Sequence, residues 1–235
     1  MDRIWKFNMI KRLLAYVLGL FMMTIGIGFS LKSNLGVSPV SSIPYTITLI
    51  AGIEMGKATI LFHIILILMQ IVILRKDFEI KNLSQLVVAV VFGYFTTFSN
   101  YLMTFLPTPE NYAIRFLLLL MSIIFVAVGI FLYLPPDIVP LAGEGAMQAV
   151  SQKTGIAFPR VKVVFDTSMV LISGITCLFV LRGLGSVGAG TIISAVLVGT
   201  VLSFIMKLFR EKLDKFLNDD SEVSVINEVG NAHSS

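Results

Sequence analysis

Residues 138–154 read IVPLAGEGAMQAVSQKT, and residues 37–52 read VSPVSSIPYTITLIAG. Both stretches are short, open with prolines and are rich in small and polar residues. Around them lie six long segments almost free of charge, at approximately 13–31, 58–74, 83–106, 114–134, 161–181 and 187–208. At 1.5 Å of rise per residue even the shortest of these reaches roughly 25 Å, close to the ~30 Å hydrocarbon core of a bilayer. Six crossings follow. The two short stretches are tolerated at membrane depth only where protein or a water-filled cavity satisfies their backbone. Broken segments at matching places in two halves of a chain are the sequence pointer to a transporter site.

Composition agrees. Of 235 residues, 56% are apolar and only 14% charged, against about 25% charged in an ordinary soluble domain. Mean hydropathy is +0.91. A soluble enzyme, a disordered chain and a nucleic-acid-binding module are excluded. The net charge of +4 conceals a division. Residues 216–235 carry Asp219, Asp220, Glu222 and Glu228 and no Lys or Arg, so the body before them is +8. This polar, aperiodic tail reads as disordered and cytoplasmic. Lys11 and Arg12 precede an apolar run with no small-residue cleavage site, which predicts an uncleaved first span.

Sliding the chain by 103 residues without a gap sets its rare polar and glycine positions in register. Gly26-Ile27 falls on Gly129-Ile130, Asn34 on Asp137, and Gly52-Ile53 on Gly155-Ile156. Lys57 falls on Arg160, Phe62 on Phe165, His63 on Asp166, and Gln70 on Ser173. Past the loop at 75–81 the register slips by three, and Gly93 meets Gly199. The expected fold class is an all-α polytopic membrane protein of two repeats, each a span, a short broken helix, a span and a span. The first repeat is 1–106, the second 107–215, and the tail 216–235.

Lys and Arg set the orientation. With both short segments re-entrant, 14 basic residues lie on the side of the termini and 4 on the other. With both crossing, eight spans give 13 against 5. Either arrangement puts both termini in the cytoplasm, and six crossings score slightly better. Three spans per repeat make the repeats inverted; four would make them parallel.

The motifs Gly26-Ile-Gly28, Asn34-Leu-Gly-Val-Ser-Pro39 and Gly52-Ile-Glu-Met-Gly56 are joined in the second half by Glu144, Arg160-Val-Lys162 with Asp166, and Gly188-Ala-Gly190-Thr191. Over roughly residues 10–208 the chain resembles the YczE/YyaS/YitT-like bacterial integral membrane proteins, closest to the YczE type. In that family pattern an acidic residue commonly follows the first-half proline by two. This chain has Ser41 there and keeps its acid at the matching second-half position, Glu144. The resemblance implies a multi-pass protein of a bacterial plasma membrane and specifies no substrate.

An ionised carboxylate at a helix centre costs roughly 2.5–3.5 kcal/mol on insertion scales, so intramembrane acids are functional candidates. Glu144 and Gln148 are four residues apart and share a helical face that Ser151 continues. In the first half Ser38, Ser42 and Tyr45 build the corresponding face, with Ser41 and Asn34 beside it. The structural alternative is that Glu144 and the hydroxyls cap broken helix ends. Asp166 has a plain ion-pair partner in Lys162, four residues earlier. His63 has no charged residue within a turn, and titrates near neutrality when unperturbed. In the six-span arrangement His63 and Asp166 flank a central Glu144, one toward each face.

There is no Walker sequence, no metal-ligand spacing among two histidines and one cysteine, and no nucleophile–base pair. The reading is a chain that is not an enzyme and needs no cofactor or metal. It is a small secondary transporter or exporter of a small molecule, its site lying between the repeats and drawing on Glu144, Gln148, Asp166, His63, Ser41, Ser42, Tyr45 and Asn34. The alternative is a non-transporting membrane factor that assists or regulates a partner complex. The implied partners are the lipid bilayer, an unidentified small-molecule substrate and, left open, a second copy of the chain. Nucleic acid is not among them.

Overall fold

The computed structural model describes residues 2–217. Eight α-helices follow one another: α1 (Asp2–Ser33), α2 (Pro39–Ala51), α3 (Met55–Leu74), α4 (Ser84–Thr104), α5 (Tyr112–Tyr133), α6 (Ala142–Thr154), α7 (Phe158–Leu181) and α8 (Ala189–Leu217). The order is long, short, long, long, and then the same again. Six of the eight are long and apolar enough to cross a membrane. The two short helices have 13 residues each, roughly 20 Å of rise, and fall short of the ~30 Å core. The chain is a multi-pass helical membrane protein. Its outward apolar side chains, such as Val72, Val87 and Phe179, meet lipid.

Both ends of the bundle differ from the sequence reading: α1 starts at Asp2, eleven residues ahead of the expected 13. The last helix continues past 208 through Arg210, Glu211, Lys212 and Asp214, where an Arg210–Asp214 pair at 3.6 Å supports it at i, i+4. It therefore takes in Phe216 and Leu217, assigned above to the tail. Residues 218–235 lie outside the described residues, and with them the rest of the expected disordered tail.

Local chemistry explains the short helices. Pro39 sits at the first position of α2, where a missing N–H costs nothing. Inside that helix Pro44 removes a backbone donor. The hydroxyls of Ser42, Thr46 and Thr48 turn back onto the carbonyls of Pro39, Ser42 and Pro44. Both short helices end on a left-handed glycine, Gly52 at φ 67° and Gly155 at φ 71°, whose N–H closes the last turn. Left-handed residues recur at Asn34 (φ 52°) and Asp137 (φ 49°), just after α1 and α5.

Helix contacts come in pairs. A Cβ on Gly26 of α1 would strike the Ser122 carbonyl and Val126 of α5. One on Gly129 of α5 would strike the Gly19 carbonyl and Met23 of α1. Each member of each pair lies 103 positions from its counterpart, so the two contacts are reciprocal. Small residues at this crossing let the backbones approach, which is how helices associate without a hydrophobic drive. The short helices then exchange partners: α2 packs on α7, and α6 on α3. Ser173 of α7 donates to Ser42 of α2 at 3.0 Å, and Gln70 of α3 donates to the Ala142 carbonyl of α6 at 3.2 Å.

One pairing is broken. In the first half α3 and α4 lie against each other through Gly56 and Gly93, whose missing side chains make room for Thr97 and Ile60. In the second half α7 and α8 make at most marginal contact, and α8 is held chiefly by α5. Nothing approaches within 4 Å of a Cβ built on Gly199.

Candidate functional site

The first turns of α2 and α6 converge, with Val40 3.8 Å from a Cβ placed on Gly143. Beside them opens a cavity of about 230 Å³, walled by α1, α5, α3 and α4 and flanked by α7 and α8. Apolar side chains including Met23, Ile27, Phe92, Met147 and Val198 form most of its wall. The charged groups lining it are Glu144, Asp166 and Lys162.

Glu144 stands in the first turn of α6, three residues past the N-cap Leu141. Its Oε2 accepts a hydrogen bond from the Tyr133 hydroxyl at 2.6 Å. The same hydroxyl oxygen accepts the Leu141 N–H at 2.5 Å, so Tyr133 joins the end of α5 to the start of α6. Its ring lies 5.4 Å from that of Tyr16, and the Tyr16 hydroxyl donates to the Val139 carbonyl at 2.7 Å. The carboxylate is therefore held in a fixed direction while still lining the cavity. An acid in the first turn also faces the positive end of the α6 dipole.

Lys162 and Asp166 pair at 2.9 Å across one turn of α7, at the gap facing α8. The sequence reading anticipated that pair. It leaves the second oxygen of Asp166, Oδ1, buried and without a partner. His63, on α3, is buried at 3% exposure, stacked against Phe92 at 5.6 Å between ring centres, with its Nδ1 unpartnered. Ser194, on α8, is buried at 2% exposure with an unpartnered Oγ. All three line the cavity. Buried polar atoms normally find partners, so three orphans around one cavity mark it out chemically.

The cavity brings Glu144, Asp166, His63 and Ser41 together, with Ser38 donating to Ser41 at 3.1 Å. The other named residues lie elsewhere. Ser42 is buried just behind the wall, bonded to Pro39 and Ser173. Gln148 is exposed, away from the cavity, although it follows Glu144 by four residues. Tyr45 faces a separate groove with Lys32 and Asn100. Asn34 is the exposed left-handed residue after α1. Sequence reasoning missed Tyr133, Lys162 as a wall residue, and Ser194. The available signal for Tyr133 was a lone phenol at the end of a span, eleven residues before the intramembrane acid.

The two glycine motifs meet one another. Gly190 N–H donates to the Leu35 carbonyl at 2.7 Å and Val37 N–H to the Ser186 carbonyl at 3.2 Å. A Cβ on Gly36 would lie 2.6 Å from the Gly188 nitrogen, and Gly36 itself is at φ 108°, where glycine is favoured. These motifs lock the loop after α1 to the start of α8 and place Ser38 and Ser194 on the same cavity.

A bundle of six helices long and apolar enough to cross a bilayer, with two short helices meeting at a mostly apolar cavity that holds three charged side chains, defines a small multi-pass membrane protein. The chain belongs to the family of unknown function DUF6198, matched over residues 10–207. It is similar to the uncharacterized membrane protein YczE of Bacillus subtilis (strain 168), with 23% identity over 201 residues, covering 85% of this chain and 87% of that protein. No solved structure matches it.

Proposed function

We propose that the protein is a small secondary transporter of a small molecule, working in a bacterial plasma membrane with both termini in the cytoplasm. The observation that carries this reading is the cavity at the convergence of the two broken helices, one from each half. Two inverted repeats account for the reciprocal contacts of Gly26 and Gly129 and for the exchange of α2 and α6 between halves. The short helices are re-entrant in this reading, one from each side. The closed α3–α4 pair and the open α7–α8 pair are then two states of one device: one path shut, the other ajar. Transport exchanges them, α8 moving onto α7 as α3 and α4 part. With 14 of 18 basic residues on the terminal side, the open gap beside Lys162 and Asp166 faces the cytoplasm.

The test is purified protein in liposomes, assayed for movement of a solute panel and of protons, with Glu144→Gln as control. Flux in the wild type above protein-free liposomes, lost in the variant, supports the reading. A wild type that moves nothing across the panel sinks it. The second reading, a membrane factor serving a partner complex, is favoured by α8, whose outer face exposes Ile192, Val196 and Phe204. Cross-linking from those positions to one defined protein, in cells, would select it.

A further inference from the structure

We infer that the cavity takes a small protonated amine, primary or secondary, carrying an apolar body. The inference rests on the transporter reading of this site and names its substrate class.

Charge comes first. The cavity wall carries two carboxyl groups, Glu144 and Asp166, and one ammonium, Lys162, which is paired with Asp166 at 2.9 Å. With all three ionised the wall has an excess of one negative charge. In a low-dielectric site an uncompensated charge is costly, and a monocation removes that cost.

Hydrogen bonding comes second. Asp166 Oδ1 is an acceptor, and His63 Nδ1 and Ser194 Oγ can each accept; all three are buried and unpartnered around this space. Glu144 already accepts one hydrogen bond, from Tyr133, and as a carboxylate has further acceptor capacity. Glu144 and Asp166, when ionised, only accept, and an ammonium ion supplies two or three donors to them.

Helix N-termini in general favour an anion. Here neither broken helix offers a full set of free donors. The first residue of α2 is Pro39, which has no N–H, and the Ser41 N–H is bonded to the Ser38 carbonyl at 3.0 Å. The N-cap N–H of α6, from Leu141, goes to Tyr133, and Glu144 stands over that end as its own counter-charge. Met23, Ile27, Phe92, Met147 and Val198 line the remainder, so the rest of the molecule is hydrocarbon. At about 230 Å³ the space suits a single-ring amine and not a lipid.

The probes are three isosteres offered to the full chain in detergent at pH 7: 2-phenylethylamine, 3-phenylpropionate and 2-phenylethanol. Binding is read as a saturable rise in apparent melting temperature, since a ligand that binds only the folded state stabilises it. The amine is expected to bind at least tenfold tighter than either competitor. Glu144→Gln and Asp166→Asn each cancel the excess charge and are expected to weaken the amine at least tenfold. Lys162→Met doubles the excess and is expected to hold or strengthen it, a direction that a purely structural role for the ion pair would not give. Equal or tighter binding of the carboxylate overturns the inference, as does no binding of the amine to the wild type or wild-type affinity in both carboxyl variants. Binding needs no transport: an amine that binds in micelles but is never moved in liposomes sinks the transporter reading and leaves this one standing. A moved anion does the reverse.

Discussion

Gly93 on α4 and Gly199 on α8 meet opposite surroundings: Ile60 and the Gly56 carbonyl close over the first, and nothing lies within 4 Å of a Cβ on the second. A methyl added at Gly93 would stand 2.8 Å from that carbonyl oxygen, which is backbone and cannot rotate away. We predict that Gly93→Ala destabilises by about 1–3 kcal/mol, as overpacking does. Gly199→Ala should be neutral or stabilising by up to about 1 kcal/mol from helix propensity. Thermal unfolding in micelles reads both. Equal losses would mean that α8 rests against α7 in the detergent-solubilised protein.

The Tyr133–Glu144 bond separates structure from chemistry. Glu144→Gln keeps an acceptor for the Tyr133 hydroxyl at the same place, so its melting temperature should match the wild type while solute movement is lost. Tyr133→Phe strands the Leu141 N–H, and a buried donor without a partner costs about 1–3 kcal/mol. Full flux through the Gln variant would reduce Glu144 to a helix cap.

Crossing number is open to labelling. In a Cys177→Ala background, single cysteines at Ser84 and Thr108 should react from the cytoplasm and from outside respectively. A cysteine at Glu54, beyond the exposed end of α2, should react from outside. Reaction of position 84 from outside and of 54 from inside would convert six crossings into eight.

The loop junction predicts non-additivity. Gly36→Ala and Gly188→Ala each press a Cβ into the opposing backbone, at 2.6 Å from the Gly188 nitrogen in the first case. Each should cost about 2 kcal/mol or more, and the double variant less than the sum, because one displaced junction relieves both clashes. Additive losses would show that the two loops yield independently.

His63 faces the cavity with its ring against Phe92. If transport is proton-coupled, its dependence on external pH should flatten in His63→Gln. Flux that persists with the wild-type profile would leave the ring a packing role.

Hydropathy made the six long helices legible to within a few residues at most ends, because an apolar run of fixed minimum length is a strong signal. The broken helices were legible through Pro39, Gly52 and Gly155, whose backbone preferences are local. Which way a helix faces is not local. Glu144 and Gln148 share a stripe on α6, yet only Glu144 meets the cavity, because Ala142, Gly145 and Ala146 carry the packing against α3 and turn Gln148 outward. Tyr45 likewise follows Ser42 by three but faces the groove beside Lys32. The Tyr133 partnership depends on how the chain folds back between α5 and α6, which no periodicity encodes. The parting of α7 from α8 was equally invisible, since Gly93 and Gly199 look alike as letters.

The exchange of short helices has a consequence for how the protein is made. Ser42 is completed by Ser173, 131 residues further along the chain. At a synthesis rate of 5–20 residues per second, α2 waits on the order of ten seconds for the helix that covers its polar side. During that interval α2 sits uncovered, its Ser42 and Thr46 hydroxyls bonded only to the carbonyls of its own turns. The nascent first half is therefore an unfinished client of the insertion machinery and not a folding unit. Ribosome stalling anywhere before α7 emerges should hand it to membrane proteases.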